Sequence, residues 1–225
     1  MLFDTLLSGS TLTEENIIMF IFSIIVFFIS LALHEFAHAF AAYKMGDLTP
    51  KVQGRLTLNP TKHLDLSGFL CFMFFGFGWA KPVQINPLNF KKYRTGMRIV
   101  SVAGVLMNVF IGLLSAAIYA ILLTTVGIPS KAMLYVYLLL EMFMIVNSAL
   151  AIFNFLPIMP LDGFNFLTSF FKSENKYTRF NLRYGTILLF VVLILNIIVD
   201  RYFNFNILTL LYDYVFTPIK FLGVM

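Results

Sequence analysis

Charged residues are scarce in this chain. Asp, Glu, Lys and Arg make up 12% of its 225 residues, against roughly a quarter in soluble globular domains. Hydrophobic residues make up 60%, including 27 Phe and ten Tyr, which suit lipid-facing and interfacial positions. This composition excludes a water-soluble domain and indicates an integral membrane protein. It also contains no nucleic-acid-binding pattern, so we expect no nucleic-acid partner.

Cysteine and histidine are also rare, with one Cys and three His. A single Cys71 excludes an internal disulfide, and its apolar surroundings indicate a small buried hydrophobe rather than a metal ligand. The first sixteen residues are acidic rather than basic and show no cleavage-site pattern, so we expect no removable signal peptide.

Long apolar runs dominate what is present. We interpret five of them as membrane spans, at about 16–43, 98–127, 132–157, 184–199 and 204–222. A further run at 66–80 is short, glycine-rich and flanked by basic residues, which favours a re-entrant or interfacial loop. The residues after it alternate around two prolines, which predicts an exposed, strand-like segment.

The predicted fold is therefore an all-α polytopic membrane protein with about five transmembrane helices and a re-entrant or interfacial β-like hairpin. No repeat and no long linker divides the chain, so we expect a single domain over residues 1–225.

Basic residues indicate the orientation. Fourteen of the sixteen Lys and Arg lie in 44–98, in 172–183 or at Lys220. Because cytoplasmic loops are enriched in Lys and Arg, these parts are predicted to face the cytoplasm. The C-terminus would then be cytoplasmic and the N-terminus outside.

The sequence His34-Glu35-Phe36-Ala37-His38 lies at the end of an uncharged apolar run. Two histidines four residues apart share one helix face and can bind a zinc ion together, while the adjacent glutamate can act as a general base toward water. Ionisable residues at membrane depth are costly and mark functional sites. His34 and His38 precede Lys44 by ten and six residues, or about 9–15 Å of helix rise, which predicts a site nearer the cytoplasmic side.

A catalytic zinc site needs a third protein ligand. His63 and Asp65 are candidates from a polar loop. Asp162 is the stronger candidate, because it follows Pro157 and Pro160 at the end of a span that returns to the depth of His38. Without the histidines, a plain helix cap would be the simpler interpretation of this aspartate.

These motifs together resemble the site-2 protease family of intramembrane zinc metallopeptidases, in its compact prokaryotic branch without a PDZ domain. The resemblance rests on His34–His38 and on the stretch from Asn154 through Pro157 and Pro160 to Asp162 and Gly163. It is extended by stretches 53–60 and 76–83, and by Gly104 with Asn108, so that it covers roughly residues 30–170. It implies that His34, His38 and Asp162 bind one zinc ion per chain and that Glu35 activates water.

Several further residues are candidates for supporting roles. Asn108 is a lone amide in an apolar span; it could make a structural interhelical hydrogen bond or, as a catalytic residue, donate to the scissile carbonyl. His63 and Asp65 could orient a zinc ligand or only structure their loop. Trp79 and Lys81 belong to the strand-like segment, which could pair with an extended substrate or could be an inert hairpin at the membrane surface. Asn154 could brace the broken helix or contact substrate.

The predicted function is a zinc endopeptidase that cuts transmembrane protein substrates near the cytoplasmic face of a prokaryotic cell membrane. The resemblance implies that these substrates have already been trimmed by another protease. The alternative is a membrane metal-binding or transport protein without hydrolytic activity. A transporter would be expected to carry several intramembrane acids along a path, and the placement of Glu35 has no use in transport.

Overall fold

The computed structural model describes residues 13–126 and 130–203, which are mostly helical. We number the α-helices of this part along the chain as α1 (Glu14–Met45), α2 (Thr49–Val52), α3 (Leu66–Phe75), α4 (Tyr93–Val126), α5 (Lys131–Asn154), α6 (Asp162–Thr168) and α7 (Lys176–Phe203). Short 3-10 turns lie at Pro60–Lys62 and Pro87–Asn89.

Four of the described helices are long and apolar enough to cross a membrane, namely α1, α4, α5 and residues Lys176–Leu195 of α7. Three of the predicted spans match α1, α4 and α5, and the fourth falls within α7. The predicted span at 204–222 lies outside the described residues. The described part of the chain is therefore a multi-pass, helical membrane protein.

Two of these helices begin earlier than predicted. Helix α4 begins at Tyr93 rather than near 98, and α7 begins at Lys176 rather than near 184. The added turns contain Arg94, Arg179 and Arg183. Hydropathy locates the part of a helix that lies in lipid, whereas the helix itself can continue into the interfacial region with charged residues.

The run at 66–80 forms α3 and a turn. At ten residues, α3 would rise about 15 Å, half the hydrocarbon thickness of a bilayer, so it cannot cross. The Asp65 carboxylate caps it by accepting from the Gly68 N–H at 2.9 Å. The Phe72 ring stacks on Phe27 of α1 with centroids 4.0 Å apart. This short helix is therefore held against α1.

Residues 77–86 form neither a helix nor a strand; in the described part of the chain they make one antiparallel bridge, between Leu64 and Ala80. The Lys81 N–H donates to the His63 carbonyl at 2.8 Å. Among the described residues this is the one bridge that the segment makes, so the predicted hairpin is not confirmed. We call residues 77–86 the extended segment.

Asp47 joins the end of α1 to Asn86, the last residue of the extended segment, and to Asn89 beyond it. Its carboxylate is fully buried and accepts from the Thr49 N–H, the Asn86 N–H and the Asn89 amide at 3.0, 2.7 and 2.8 Å. Burial alone would raise the pKa of Asp47, but the hydrogen bonds from Thr49, Asn89 and Asn86 outweigh it and hold the pKa below its usual value. A carboxylate with this many donors is a rigid anchor.

Helix α4 is central in the bundle and packs against α1, α5 and α6. The predicted ligands lie on α1 and α6, and both of these helices contact α4. The predicted site lies where these three helices meet.

Candidate metal centre and active site

His34 and His38 lie one turn apart on α1 and point toward α4 and α6. Both imidazoles are buried, at 4% and 6% exposure. Their rings meet edge to face with centroids 4.6 Å apart, and their Nε2 atoms are separated by 3.0 Å. The spacing in the sequence thus brings two ring nitrogens to one point.

Asp162 reaches the same point from the other side. Helix α5 ends at Asn154, and α6 begins at Asp162, with Leu161 rather than Asp162 at the N-cap position. The Asp162 Oδ2 lies 3.2 Å from His34 Nε2 and 3.1 Å from His38 Nε2. The carboxylate is therefore not used as a helix cap, which was the simpler interpretation of this residue.

Gly163 allows this approach. A Cβ atom at this position would lie 2.1 Å from the Phe155 carbonyl oxygen. Only glycine lets the first turn of α6 contact the end of α5 so closely, and this contact fixes where the Asp162 carboxylate points.

The three atoms fit a zinc ion. Their separations of 3.0–3.2 Å are close to the ~3.3 Å edges of a tetrahedral site with bonds of about 2.0–2.1 Å. His34, His38 and Asp162 also form a group whose possible ligand atoms all lie within 4.8 Å of one another. Two nitrogen donors and one carboxylate are a ligand set that catalytic zinc sites use, with a fourth position left for water.

The outer ring nitrogens show how the imidazoles are oriented. His38 Nδ1 donates to the Val100 carbonyl oxygen at 2.8 Å, and His34 Nδ1 lies 2.5 Å from Asn108 Oδ1. With Nδ1 carrying the hydrogen, each neutral imidazole leaves the Nε2 lone pair free for a metal. Both groups that hold the rings belong to α4.

Gly104 makes room for both imidazoles on α4. A Cβ atom there would lie 2.4 Å from His38 Nε2 and 2.6 Å from His34 Nε2. At this glycine, α4 therefore packs directly against the two imidazole rings.

Glu35 lies beside His34 and is half-buried. Its Oε2 accepts a hydrogen bond from the Val83 N–H of the extended segment at 2.8 Å. The glutamate is therefore connected to the backbone that the sequence suggested as a substrate contact.

His63 and Asp65 lie outside the cluster. The His63 ring is buried with Nε2 donating to the Thr57 carbonyl at 2.9 Å, and its backbone carbonyl accepts from Lys81. Asp65 caps α3. Of the two roles left open, these contacts fit the one in which both residues structure the loop, because neither side chain bonds to a member of the cluster.

The remaining predicted residues occupy different places. Trp79 and Lys81 are exposed on the extended segment. Asn154, at the end of α5, donates to the Leu150 carbonyl of its own helix at 2.9 Å. Asn108 is fully buried, with Nδ2 donating to Asn147 Oδ1 at 2.8 Å. These bonds fit the structural role left open for Asn108, and its role toward a substrate stays a prediction.

Comparison with curated proteins identifies the family. The chain is 39% identical over 146 residues to the Bacillus subtilis protein named "Putative zinc metalloprotease YwhC", a match that covers 64% of this chain and 66% of that protein. The chain belongs to the site-2 protease family of zinc metalloproteases.

Two mycobacterial relatives of the same family agree. The chain is 30% identical over 161 residues to "Putative zinc metalloprotease Rip2" of Mycobacterium tuberculosis, covering 70% of this chain and 60% of that protein. It is 29% identical over 189 residues to the protein of that name from Mycolicibacterium smegmatis, covering 82% and 70%. The chain thus spans about two thirds of the length of the curated relatives that it matches. No protein-family model and no solved structure matches it.

Family membership identifies zinc as the metal, and the nitrogen and oxygen ligand set fits it. Ser30 on α1, a buried residue near this site, was not singled out from the sequence, whereas Asn147 on α5 was predicted to be a polar residue that faces the bundle without a catalytic role. The only sequence signal for Asn147 is an amide within an apolar span, which equally describes a structural hydrogen bond.

Proposed function

We propose that this protein is an intramembrane zinc endopeptidase in which His34, His38 and Asp162 bind one zinc ion per chain. The observation that carries the proposal is the convergence of two helical imidazoles and a carboxylate, 3.0–3.2 Å apart, inside a bundle of membrane-spanning helices. Family membership supports the choice of proteolysis over metal storage or transport.

A bound zinc ion would supply Lewis acidity toward a peptide carbonyl and would lower the pKa of a nearby water molecule. Glu35 is the general base in this proposal: its carboxylate takes a proton from water and delivers it to the leaving amine. The Val83 N–H orients this carboxylate, and the buried Asn108 and Val100 carbonyl hold the imidazoles. These hydrogen bonds thereby fix the positions of the two histidine ligands and of the general base relative to one another.

The extended segment is proposed to bind substrate. A peptide bond in a transmembrane helix is hydrogen-bonded within that helix and must be unwound before hydrolysis. Pairing with an exposed backbone would keep the unwound residues extended. Trp79, Lys81, Pro82 and Gln84 are exposed on this segment, so a substrate could reach it. Trp79 and Lys81 would contact the substrate from the same segment.

The proposed setting is a single domain, residues 1–225, in a prokaryotic cell membrane, with the N-terminus outside and the C-terminus in the cytoplasm. The ends of α1 and α5 and the starts of α4 and α7 share one face of the bundle, and most of the Lys and Arg of the chain lie near it. Cleavage would therefore occur near the cytoplasmic face, on transmembrane proteins trimmed beforehand by another protease.

Incubation of the purified protein with a panel of single-span substrates tests this proposal directly. Cleavage is expected in detergent or nanodiscs, with loss of cleavage on adding a zinc chelator and recovery on adding zinc. Zinc retention without cleavage of any substrate would favour the alternative, a metal-binding or transport protein without hydrolytic activity.

A further inference from the structure

A chain of buried polar side chains leads from the interior of the bundle to His34. Asn147 Nδ2 donates to Ser30 Oγ at 2.8 Å and to the Phe143 carbonyl oxygen at 2.9 Å. Asn108 Nδ2 donates to Asn147 Oδ1 at 2.8 Å, and Asn108 Oδ1 lies 2.5 Å from His34 Nδ1. Ser30, Asn108 and Asn147 are each 0% exposed. Three fully buried polar groups at membrane depth are costly unless bonded to one another.

The direction of this chain is fixed at one end. The Phe143 carbonyl can only accept, so the Asn147 side chain must turn its NH₂ group toward it. The two hydrogens of that group are then used by Phe143 and Ser30. Asn147 is left with its carbonyl oxygen facing Asn108.

The same constraint passes along to His34. Because Asn147 presents an acceptor, Asn108 must turn its NH₂ group toward Asn147 and its own oxygen toward His34. His34 Nδ1 must then be the donor, which leaves the lone pair of Nε2 for the metal. Without a fixed partner, an asparagine can turn its amide by 180° and offer a donor where an acceptor stood.

We propose that Asn147 is a positioning residue for zinc binding, acting through Asn108 to hold His34 in the tautomer that can bind the metal. This rests on the proposed function, since it takes His34 as a zinc ligand. The other histidine ligand needs no such chain, because the Val100 carbonyl bonds His38 Nδ1 directly. A main-chain carbonyl thus determines the tautomer of each imidazole. The Val100 carbonyl acts directly on His38, and the Phe143 carbonyl acts on His34 through two asparagines.

Substitution Asn147→Leu tests the proposal. Leucine has a similar volume and suits an apolar span, but it leaves Asn108 free to turn. We expect zinc affinity, measured by competition with a chelator on the purified protein, to fall roughly tenfold or more, as for other changes to groups that orient zinc ligands. Ser30→Ala should leave the affinity within about threefold of wild type, because the Phe143 carbonyl still fixes the direction of Asn147.

Met144→Leu serves as the packing control, since Met144 is 1% exposed on the same helix and has no part in the chain. It should bind zinc like the wild type. If Met144→Leu loses as much affinity as Asn147→Leu, the effect is one of packing and the proposal is wrong. Equal affinity in Asn147→Leu and wild type would also overturn it.

A rescue variant separates orientation from stability. Asn108→Asp, introduced into Asn147→Leu, replaces an amide that can turn by a carboxylate that only accepts. Whichever way it turns, it bonds His34 Nδ1, as carboxylates do in many zinc sites. We expect zinc affinity to recover toward the wild-type value; no recovery in a folded double variant would contradict the proposal. A wild-type protein that binds no zinc would instead refute the proposed function.

Discussion

The carboxylate of Glu35 accepts a hydrogen bond from the main-chain N–H of Val83 at 2.8 Å. Glu35 belongs to the helix that carries both histidines, and Val83 belongs to the extended segment. The proposed base and the proposed substrate-binding segment are therefore hydrogen-bonded to each other. A displacement of the segment would change the position of the Glu35 carboxylate.

Glu35→Gln is expected to keep zinc and fold but to lose cleavage. The glutamine oxygen can still accept from Val83, while the group that takes the proton is gone. Loss of a general base typically lowers a rate by about 10²–10⁴-fold. Cleavage assays and elemental analysis on the same preparation check this. Cleavage at the wild-type rate would show that Glu35 is not the base.

Gly104→Ala is expected to reduce zinc retention sharply. The added methyl group would overlap both imidazoles, with its carbon 2.4 Å from His38 Nε2. Gly112→Ala on the same helix is the matched control, because its nearest neighbour outside the helix backbone lies 3.8 Å away. Zinc content after purification should separate the two variants. Equal zinc content would mean that the rings have other room to move.

Asp162→Ala should weaken zinc binding, and His63→Ala should not. Asp162 lies 3.1–3.2 Å from both Nε2 atoms, whereas His63 bonds to Thr57. Because removing one of three protein ligands weakens a zinc site, we expect measured zinc per chain to fall well below the wild-type value only for Asp162→Ala. The opposite result would place the third ligand in the 57–65 loop.

Orientation can be tested by thiol labelling. In a Cys71→Ser background, cysteines at Lys62 and Lys176 should react with a membrane-impermeant reagent only in inverted vesicles, because basic segments face the cytoplasm. A cysteine at Glu14, at the other end of α1, should react only in intact cells. The reverse pattern would overturn the orientation. Labelling of Lys62 and Lys176 from opposite sides would mean that an odd number of crossings separates them.

Local spacing was enough to predict the two imidazoles that meet at one point. Residues four apart on a helix share a face, so His34 and His38 followed from the sequence alone. Bringing Asp162 to them required the helix break at Pro157 and Pro160, which the sequence also contains. The partners of Asn108 could not be predicted in this way, because the direction of an amide depends on groups that other helices bring to it.

The alternating pattern at 79–85 predicted a strand, and the structure has an extended segment without one. Alternation alone does not report which side chains face inward: Val83 is buried, whereas Trp79 and Lys81, at the same alternate positions, are exposed. A strand also requires a second extended chain alongside. In the described residues that partner is limited to the bridge at Leu64, and a single sequence carries little information about it.

Asp47 has a consequence for which peptide bond of a substrate would be cleaved. It holds the extended segment at Asn86, His63 holds it at Lys81, and Glu35 bonds its middle at Val83. A segment fixed at three points cannot slide along its own axis relative to Glu35. Under the proposed function, a substrate strand paired with it would meet Glu35 at one offset. The position of the cleaved bond would then depend mainly on its distance in residues from the paired part of the substrate, and less on the side chains that flank the bond.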